Sequence, residues 1–357
     1  MGEPLQTPPA RTRPNPLSLQ VDRMTYRRTL LGFSWVLTLG LAPSRAHEPR
    51  PGDLHPRKGD EIVVCGQSFH TTTKVVLWTD PGGYDAYRVE PRFATLDRDR
   101  PKKKADNQPS GARYNLRRSP SLTPEQIERV RGGGWDLPTL QSVVDQFVIH
   151  FDARGTSRQC FEILQDKRGL SVHFMLDIDG TIYQTLDLKE RAWHATTSNT
   201  RSVGIEIANI GAYPVNSANP LDRWYLRDDE GKTRLTIPGG PKPGEPDTSM
   251  FTLRPARPNE ITGKIQGQEL IQYDFTPQQY EALSKLVATL CTIFPKIRCD
   301  YPKDAHGHLI RVKLPDDRLE RYQGLLGHYH VQTNKVDPGP AFQWDRVIGE
   351  AHRLMTQ

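Results

Sequence analysis

The chain has 357 residues, 36% hydrophobic and 25% charged, with 48 Lys+Arg against 42 Asp+Glu and a formal charge of +6. That size can bury a real core in one large domain or two modest ones, and the ordinary charged fraction excludes wholesale disorder. Gly (28) and Pro (30) are plentiful but show no triplet period, which excludes collagen, and four cysteines are too few for a disulfide scaffold.

The charge excess is local. Arg11, Arg13, Arg23, Arg27, Arg28 and Arg45 stand against Glu3 and Asp22 in residues 1–46, which leaves 42 basic and 40 acidic residues, a charge of +2, in the rest. Arg27-Arg28-Thr29-Leu30-Leu31 opens an apolar run from Leu30 to Ala42, and Ser44-Arg45-Ala46 supplies small residues at a cleavage spacing. A run of about 13 residues falls short of the ~20 that span a bilayer, so residues 1–46 read as a cleaved export signal and not as an anchor. The paired arginines resemble a twin-arginine signal, with the general secretory route as the alternative, and Met24 is a candidate start. No cysteine follows the run and no other run is long enough to span, so the mature protein is expected to be soluble, and periplasmic or extracellular. Export permits disulfides. Cys291 and Cys299 are placed for a local bridge, Cys65 and Cys160 would have to meet across the fold, and free buried thiols are the alternative.

Residues 47–60 are polar and Pro-rich, a linker. Strands are expected at Glu61–Val64 and at Lys74–Trp78, the second ending in the turn Asp80-Pro81-Gly82-Gly83. Residues 97–120 are dense in Arg, Lys and Asp and read as an exposed loop; with almost no aromatic residues to stack on bases, they give no nucleic-acid signal. Val143-Val144 and Phe147-Val148-Ile149 form the short apolar run of a buried strand, with His150 at its C-terminal end. Arg158 to Lys167 reads as a short helix stopped by Gly169, and Ser171–Leu176 as a strand that turns at Asp179-Gly180 into Thr181–Thr185.

Ser202–Ile207 is a further apolar strand, and Glu206 inside it is costly unless it has a purpose. Residues 212–272 are Pro- and Gly-rich and read as a long insertion holding at most a hairpin. A clear helix follows. Thr276, Pro277 and Gln279 form a capped start, and Tyr280, Leu283, Leu286, Val287, Leu290 and Phe294 give one buried face before Pro295 ends it. Strands alternating with helices predict an α/β domain with a mixed central sheet flanked by helices.

Three features carry chemistry: His150 at a strand end, Glu206 within a strand, and the segment Gly327-His328-Tyr329-His330 through Lys335-Val336-Asp337-Pro338-Gly339-Pro340. A catalytic zinc takes three protein ligands plus water, with His and carboxylate both acceptable. Spacing alone leaves the ligand set open, since these residues lie far apart in sequence and His330 competes with His328.

The order and wording of the segments go further. Phe147-Val148-Ile149-His150, then Ser171 through Gln184, Ala192-Trp193-His194-Ala195, Ser202 through Ile207, and Gly327-His328 through Asp337-Pro338-Gly339-Pro340 occur in order. In these motifs the chain resembles the zinc-dependent N-acetylmuramoyl-L-alanine amidases of the amidase-2 type, related to phage T7 lysozyme and the peptidoglycan recognition proteins. The resemblance spans roughly residues 140–345. It implies one zinc held by His150, His328 and Asp337, with Glu206 and Lys335 as catalytic residues. His194 reads as a cleft residue in contact with substrate, and His173 either as a second substrate contact or as a strand histidine that orients its neighbours through hydrogen bonds. Two departures stand out: Phe151 replaces a second His found after the strand-end ligand in many members, and the loop from His328 to Asp337 is one residue shorter than in the bacterial recycling amidases.

The implied reaction is hydrolysis of the amide between the lactyl group of N-acetylmuramic acid and L-Ala of the stem peptide, in peptidoglycan or muropeptides. Rival readings are a peptidoglycan-binding protein without catalysis and a zinc peptidase cutting within the stem peptide. The expected organisation is an export signal (1–46), an N-terminal extension packed on the catalytic domain (47–139) and a monomeric zinc amidase domain (140–357) carrying the insertion. Among the remaining candidates, Trp193 reads as core, with a sugar platform as the alternative, and His306 and His308 as structural or exposed.

Overall fold

The computed structural model describes residues 56–89, 111–247 and 252–357. The expected export signal, most of the linker and the charged residues 97–110 lie outside the described residues. The first elements are a hairpin, β1 (Glu61–Val64) with β2 (Gln67–His70), and the short β3 (Val75–Leu77). Asp187 holds the hairpin turn, its carboxylate accepting from the backbone N–H of Cys65 (2.8 Å) and of Gly66 (2.7 Å). Next come β4 (Tyr114–Leu116), α1 (Pro124–Arg131) and α2 (Leu137–Val143). Thr123 and Gln126 form a capping box on α1, and the Asp136 side chain caps α2.

β5 (Gln146–Phe151) leads into α3 (Ser157–Phe161), which continues as a π-helical stretch over Glu162–Arg168 and stops at Gly169. β6 (Phe174–Leu176), β7 (Ile182–Gln184), β8 (Glu190–Ala192) and β9 (Ser202–Ile207) follow. Then come β10 (Tyr213–Pro214), α4 (Leu221–Trp224), β11 (Tyr225–Arg227), β12 (Thr233–Leu235), β13 (Ile261–Ile265) and β14 (Gln268–Gln272). The chain closes with α5 (Pro277–Ile293), α6 (Asp316–Arg321), β15 (Gly324–Gly327), the one-turn α7 (His328–Val331) and α8 (Trp344–Met355).

Among the described residues, six strands form the central sheet in the order β15-β5-β9-β6-β7-β3. β15, β5, β9 and β6 run parallel, β7 turns back antiparallel to β6, and β3 lies parallel to β7 on the edge. The fold is therefore α/β with a mixed central sheet, as the alternation of elements predicts. The tight turn at Asp177–Thr181 permits the antiparallel step, whereas each parallel step needs a longer crossover.

One face of the sheet is closed by α5, whose Leu283, Leu286, Val287 and Leu290 share a core with Phe147, Ile149, Val203 and Ile205 and with Val347, Ile348 and Ala351 of α8. Each such Val, Leu, Ile or Phe side chain contributes about 1.5–3 kcal/mol on burial. The intervening residues of β5 and β9 point to the opposite face, where Val148 packs with Leu314, Leu319, Leu326 and Val331. That second face carries the site.

Two expectations need correction. Residues 113–117 are no exposed loop: β4 pairs with β8, and Arg113 and Arg117 are among the largest fully buried side chains. Main-chain carbonyls receive their guanidiniums, Arg117 donating to Leu188 O (3.1 Å) and Thr200 O (2.8 Å), and Arg113 to Gln165 O (3.2 Å). Charge counting cannot see acceptors that the main chain supplies.

Residues 212–272 hold more than a hairpin. β11 pairs with β12, and β13–β14 adds β10 to make a three-stranded sheet. Leu221, Trp224, Tyr225, Leu235, Ile237 and Leu253 of this segment form a second core with Ile178, Ala208, Ile210 and Tyr273, built in part from strands too short to show alternation. The four cysteines are free thiols. No helix among the described residues is long and apolar enough to cross a membrane.

Candidate active site

The parallel register of β5 and β9 sets His150 beside Glu206, on the sheet face away from α5. On the other side of β5, β15 pairs Gly327 with Ile149, so His328, the next residue, emerges one step beyond the strand and adjacent to His150. The segment after α7 folds back, with Tyr329 N–H donating to Asp337 O (3.2 Å), and this returns Lys335 and Asp337 to the same place. The C-terminal ends of parallel strands are where open α/β sheets place their sites.

Three side-chain atoms converge there. His150 Nδ1 lies 2.9 Å from His328 Nδ1 and 2.9 Å from Asp337 Oδ2, and His328 Nδ1 lies 3.0 Å from the same oxygen. Both outer ring nitrogens are engaged, His328 Nε2 with Gln332 Oε1 at 2.7 Å and His150 Nε2 with His194 Nδ1 at 3.0 Å. With the ring protons on those outer nitrogens, three acceptors and no donor face one another. Such a group is stable around a cation.

The donor chemistry fits a divalent transition metal: two imidazoles and a carboxylate are the ligands of a tetrahedral site, in which bonds of roughly 2.0–2.1 Å hold ligand atoms about 3.3 Å apart. Burial, and then the neighbouring His328, pushes His150 down to about 4, so its imidazole is neutral at pH 7. Burial works to raise the Asp337 carboxyl, but the two facing histidines overcome it and hold the group well below the usual carboxylate range. Glu206 is shifted the other way, well above that range, by burial first and by Asp337 and Asp152 after it, with Lys335 opposing.

A cleft opens over this group, walled by Arg154, Leu164, Arg168, Trp193 and Lys335 and containing Glu206. Asp152 shapes one wall, its Oδ1 accepting from the backbone N–H of Arg154 (2.9 Å), Gly155 (3.0 Å) and Asn209 (3.1 Å). Thus His150, His328, Asp337, Glu206, Lys335 and His194 come together.

His173 does not join them, which corrects its expected contact with substrate. It is fully buried beneath β9, Nδ1 accepting from Gly204 N–H (3.1 Å) and Nε2 lying 2.9 Å from Arg117 Nη2. His330 is also removed as a rival ligand. It is buried, with Nδ1 accepting from Gly327 N–H (2.9 Å) and Nε2 donating to Ile310 O (2.6 Å). His306 and His308 are exposed, and Trp193 is a half-buried cleft wall rather than core.

Sequence reasoning missed the residues that hold the returning segment. Gln272 of β14 donates to Pro338 O (3.1 Å) and accepts from Ala341 N–H (3.0 Å), bracketing the turn after Asp337. Gly339, at φ +85°, is packed so tightly on that amide that a Cβ would lie 2.1 Å from Gln272 Oε1. Gln266, in the β13–β14 turn, donates to Tyr329 O (2.8 Å) and Gln332 O (3.0 Å), bracketing α7. A glutamine in a polar hairpin carries no periodic signal, and only its distant partners reveal its role.

A family model described as N-acetylmuramoyl-L-alanine amidase matches residues 140–340. No curated protein sequence matches the chain. Among solved structures, the N-acetylmuramyl-L-alanine amidase AmiD from E. coli, in complex with the substrate anhydro-N-acetylmuramic acid-L-Ala-D-gamma-Glu-L-Lys, is 18% identical, with a TM-score of 0.31 over 58% of this chain and 57% of that one. A selenomethionine derivative of AmpD is 17% identical, with a TM-score of 0.27 over 67% and 89% of the two chains. The endolysin amidase LysCS from Clostridium intestinale URNW is 14% identical, with a TM-score of 0.29 over 60% and 86%. The chain thus spans 57% of the length of AmiD.

Proposed function

The chain belongs to the N-acetylmuramoyl-L-alanine amidase family of the amidase-2 type, and from that premise we propose that it is an exported zinc amidase acting on peptidoglycan or its muropeptides. The bond cut is the amide joining the lactyl group of N-acetylmuramic acid to L-Ala of the stem peptide. The observation that carries this reading is the triangle of acceptor atoms from His150, His328 and Asp337 beside Glu206 at the base of an open cleft.

His150, His328 and Asp337 would hold the zinc. Bound there, zinc supplies Lewis-acid polarisation of the scissile carbonyl and brings the pKa of a water toward neutrality. Glu206 sits next to His150 in the register and faces the cleft, placed to take the proton of the attacking water and hand it to the leaving amine. Lys335 lines the same cleft from the opposite segment and offsets negative charge on the carbonyl oxygen as the tetrahedral centre forms. The cationic rim of Arg154 and Arg168 suits a substrate bearing peptide carboxylates.

Purified sacculi and soluble muropeptides, digested by the zinc-loaded protein and resolved by mass, test the reading. Release of intact stem peptide from muramic acid is the expected result. Cuts within the peptide, or binding with no cleavage, would overturn it, and comparing the two substrates shows which form of the wall is preferred.

A further inference from the structure

Building on the reading of His150 as a zinc ligand, we propose that His194 is a positioning residue of the metal centre, fixing the His150 proton on Nε2 so that the Nδ1 lone pair stays aimed at the ion. A histidine binds metal through one nitrogen, and the partner of the other nitrogen decides which tautomer is present and how the ring is turned. For His328 that partner is Gln332 Oε1 at 2.7 Å, an oxygen that accepts whatever its surroundings. For His150 it is a second imidazole, His194 Nδ1 at 3.0 Å, with the rings edge to face at 5.2 Å between centroids.

An imidazole nitrogen accepts only when its own proton lies on the far side. That far nitrogen, His194 Nε2, lies 3.2 Å from Ser202 Oγ. The tautomers are therefore set in series: the Ser202 hydroxyl accepts from His194, which accepts from His150, which presents its lone pair to the metal. Both nitrogens of His194 are spent in this chain, which leaves neither for the substrate.

The surroundings hold the His194 ring in place from two further sides. Asn199 Oδ1 accepts from the backbone N–H of His194 (3.1 Å) and Ala195 (2.6 Å), fixing the loop that carries the ring. Beneath it lies Gly204, in the middle of β9, where a Cβ would stand 2.4 Å from His194 Cε1. Glycine weakens a strand interior unless something approaches closely, and here the imidazole does.

The test is zinc affinity, measured by chelator competition on the full chain, with the visible spectrum of the cobalt(II)-loaded protein as a signature of ligand geometry. His194→Phe keeps the ring shape and removes the acceptor; it should lower zinc affinity by about 10–100-fold and alter the cobalt bands. His194→Asn places an amide oxygen near the position of Nδ1 and should restore affinity to within about threefold of the parent. Parental affinity in the Phe variant, or an Asn variant as weak as the Phe variant, would overturn the proposal.

Should His194→Phe fail to fold, Ser202→Ala decides, since it leaves both rings and removes only the terminal acceptor. A loss of about threefold or more supports the relay, and parental affinity refutes it. The parent protein separates the two levels of inference. If it takes up no zinc, the functional reading itself fails; if it takes up zinc and the variants match it, only the relay does.

Discussion

The two halves of the candidate site are held by different means. His150 and Glu206 are placed by the hydrogen-bond ladder of adjacent parallel strands, where a single register fixes both. His328, Lys335 and Asp337 sit on a segment outside the sheet, positioned by α7 and by two glutamines reaching from the β13–β14 hairpin. A ladder is shared among many residues and tolerates the loss of one side chain. A clamp of two amides does not, so side-chain deletions that spare chemistry in the first half should loosen geometry in the second.

That contrast can be pressed hardest at Glu206. Glu206→Gln keeps the strand and the metal ligands, so turnover should fall by about 10²–10⁴-fold while zinc stoichiometry and the thermal midpoint stay at parental values. Near-normal turnover would remove Glu206 from the chemistry. In the other half, Asp337→Ala should lower zinc affinity by at least roughly 10²-fold, beyond what loss of an outer partner costs. Unchanged affinity under chelator challenge would mean that another group completes the set.

The clamp itself is the sharper comparison. Gln272→Ala touches neither metal nor substrate, yet it strands the Ala341 N–H and releases the turn after Asp337. We expect a roughly tenfold loss of zinc affinity and about 1–3 kcal/mol of stability, read by chelator competition and denaturant melts. A stability loss with parental zinc affinity would reduce Gln272 to a packing residue.

The smallest effect is expected far from both halves. Backbone N–H groups of Lys58 and Gly59, aided by Arg57, outweigh burial and hold Glu61 at about 2, against an ordinary value of 4.5. A carboxyl depressed in the folded state stabilises above its unfolded value, and that contribution is lost as pH falls from about 4.5 toward 2. Glu61→Gln should therefore lower the thermal midpoint by a few degrees at pH 7 and scarcely at pH 2, with zinc affinity untouched; equal losses at both pH values would contradict this. Such a separation would confirm that the clamp effect is not a general response to destabilisation.

Much of the ladder half was legible in the sequence. Ser202–Ile207 and Glu61–Val64 are strands with the expected bounds, and Thr276, Pro277 and Gln279 start α5 as the capping pattern requires. Periodicity reports a ladder because every second residue must face a core. It reports nothing about His173, His328 and His330, which carry the same side chain and end in a buried pocket, a position facing His150 and Asp337, and a buried cap. Which of these a histidine occupies depends on partners such as Gly204 N–H and Ile310 O, remote in sequence. The buried arginines and the glutamine clamps escaped for the same reason.

The short edge strand β3 bears on how this chain can be divided. It covers the outer side of β7, while α8, beyond residue 340, covers α5. A fragment cut to the family-matched residues 140–340 would bare a row of unpaired backbone groups along β7 and an apolar stripe on α5, and it would leave the carbonyls that receive Arg117 without their guanidinium. The family-matched stretch is thus smaller than the stretch that shares the core. Trimming to the former should yield a sticky, edge-pairing protein instead of a minimal enzyme.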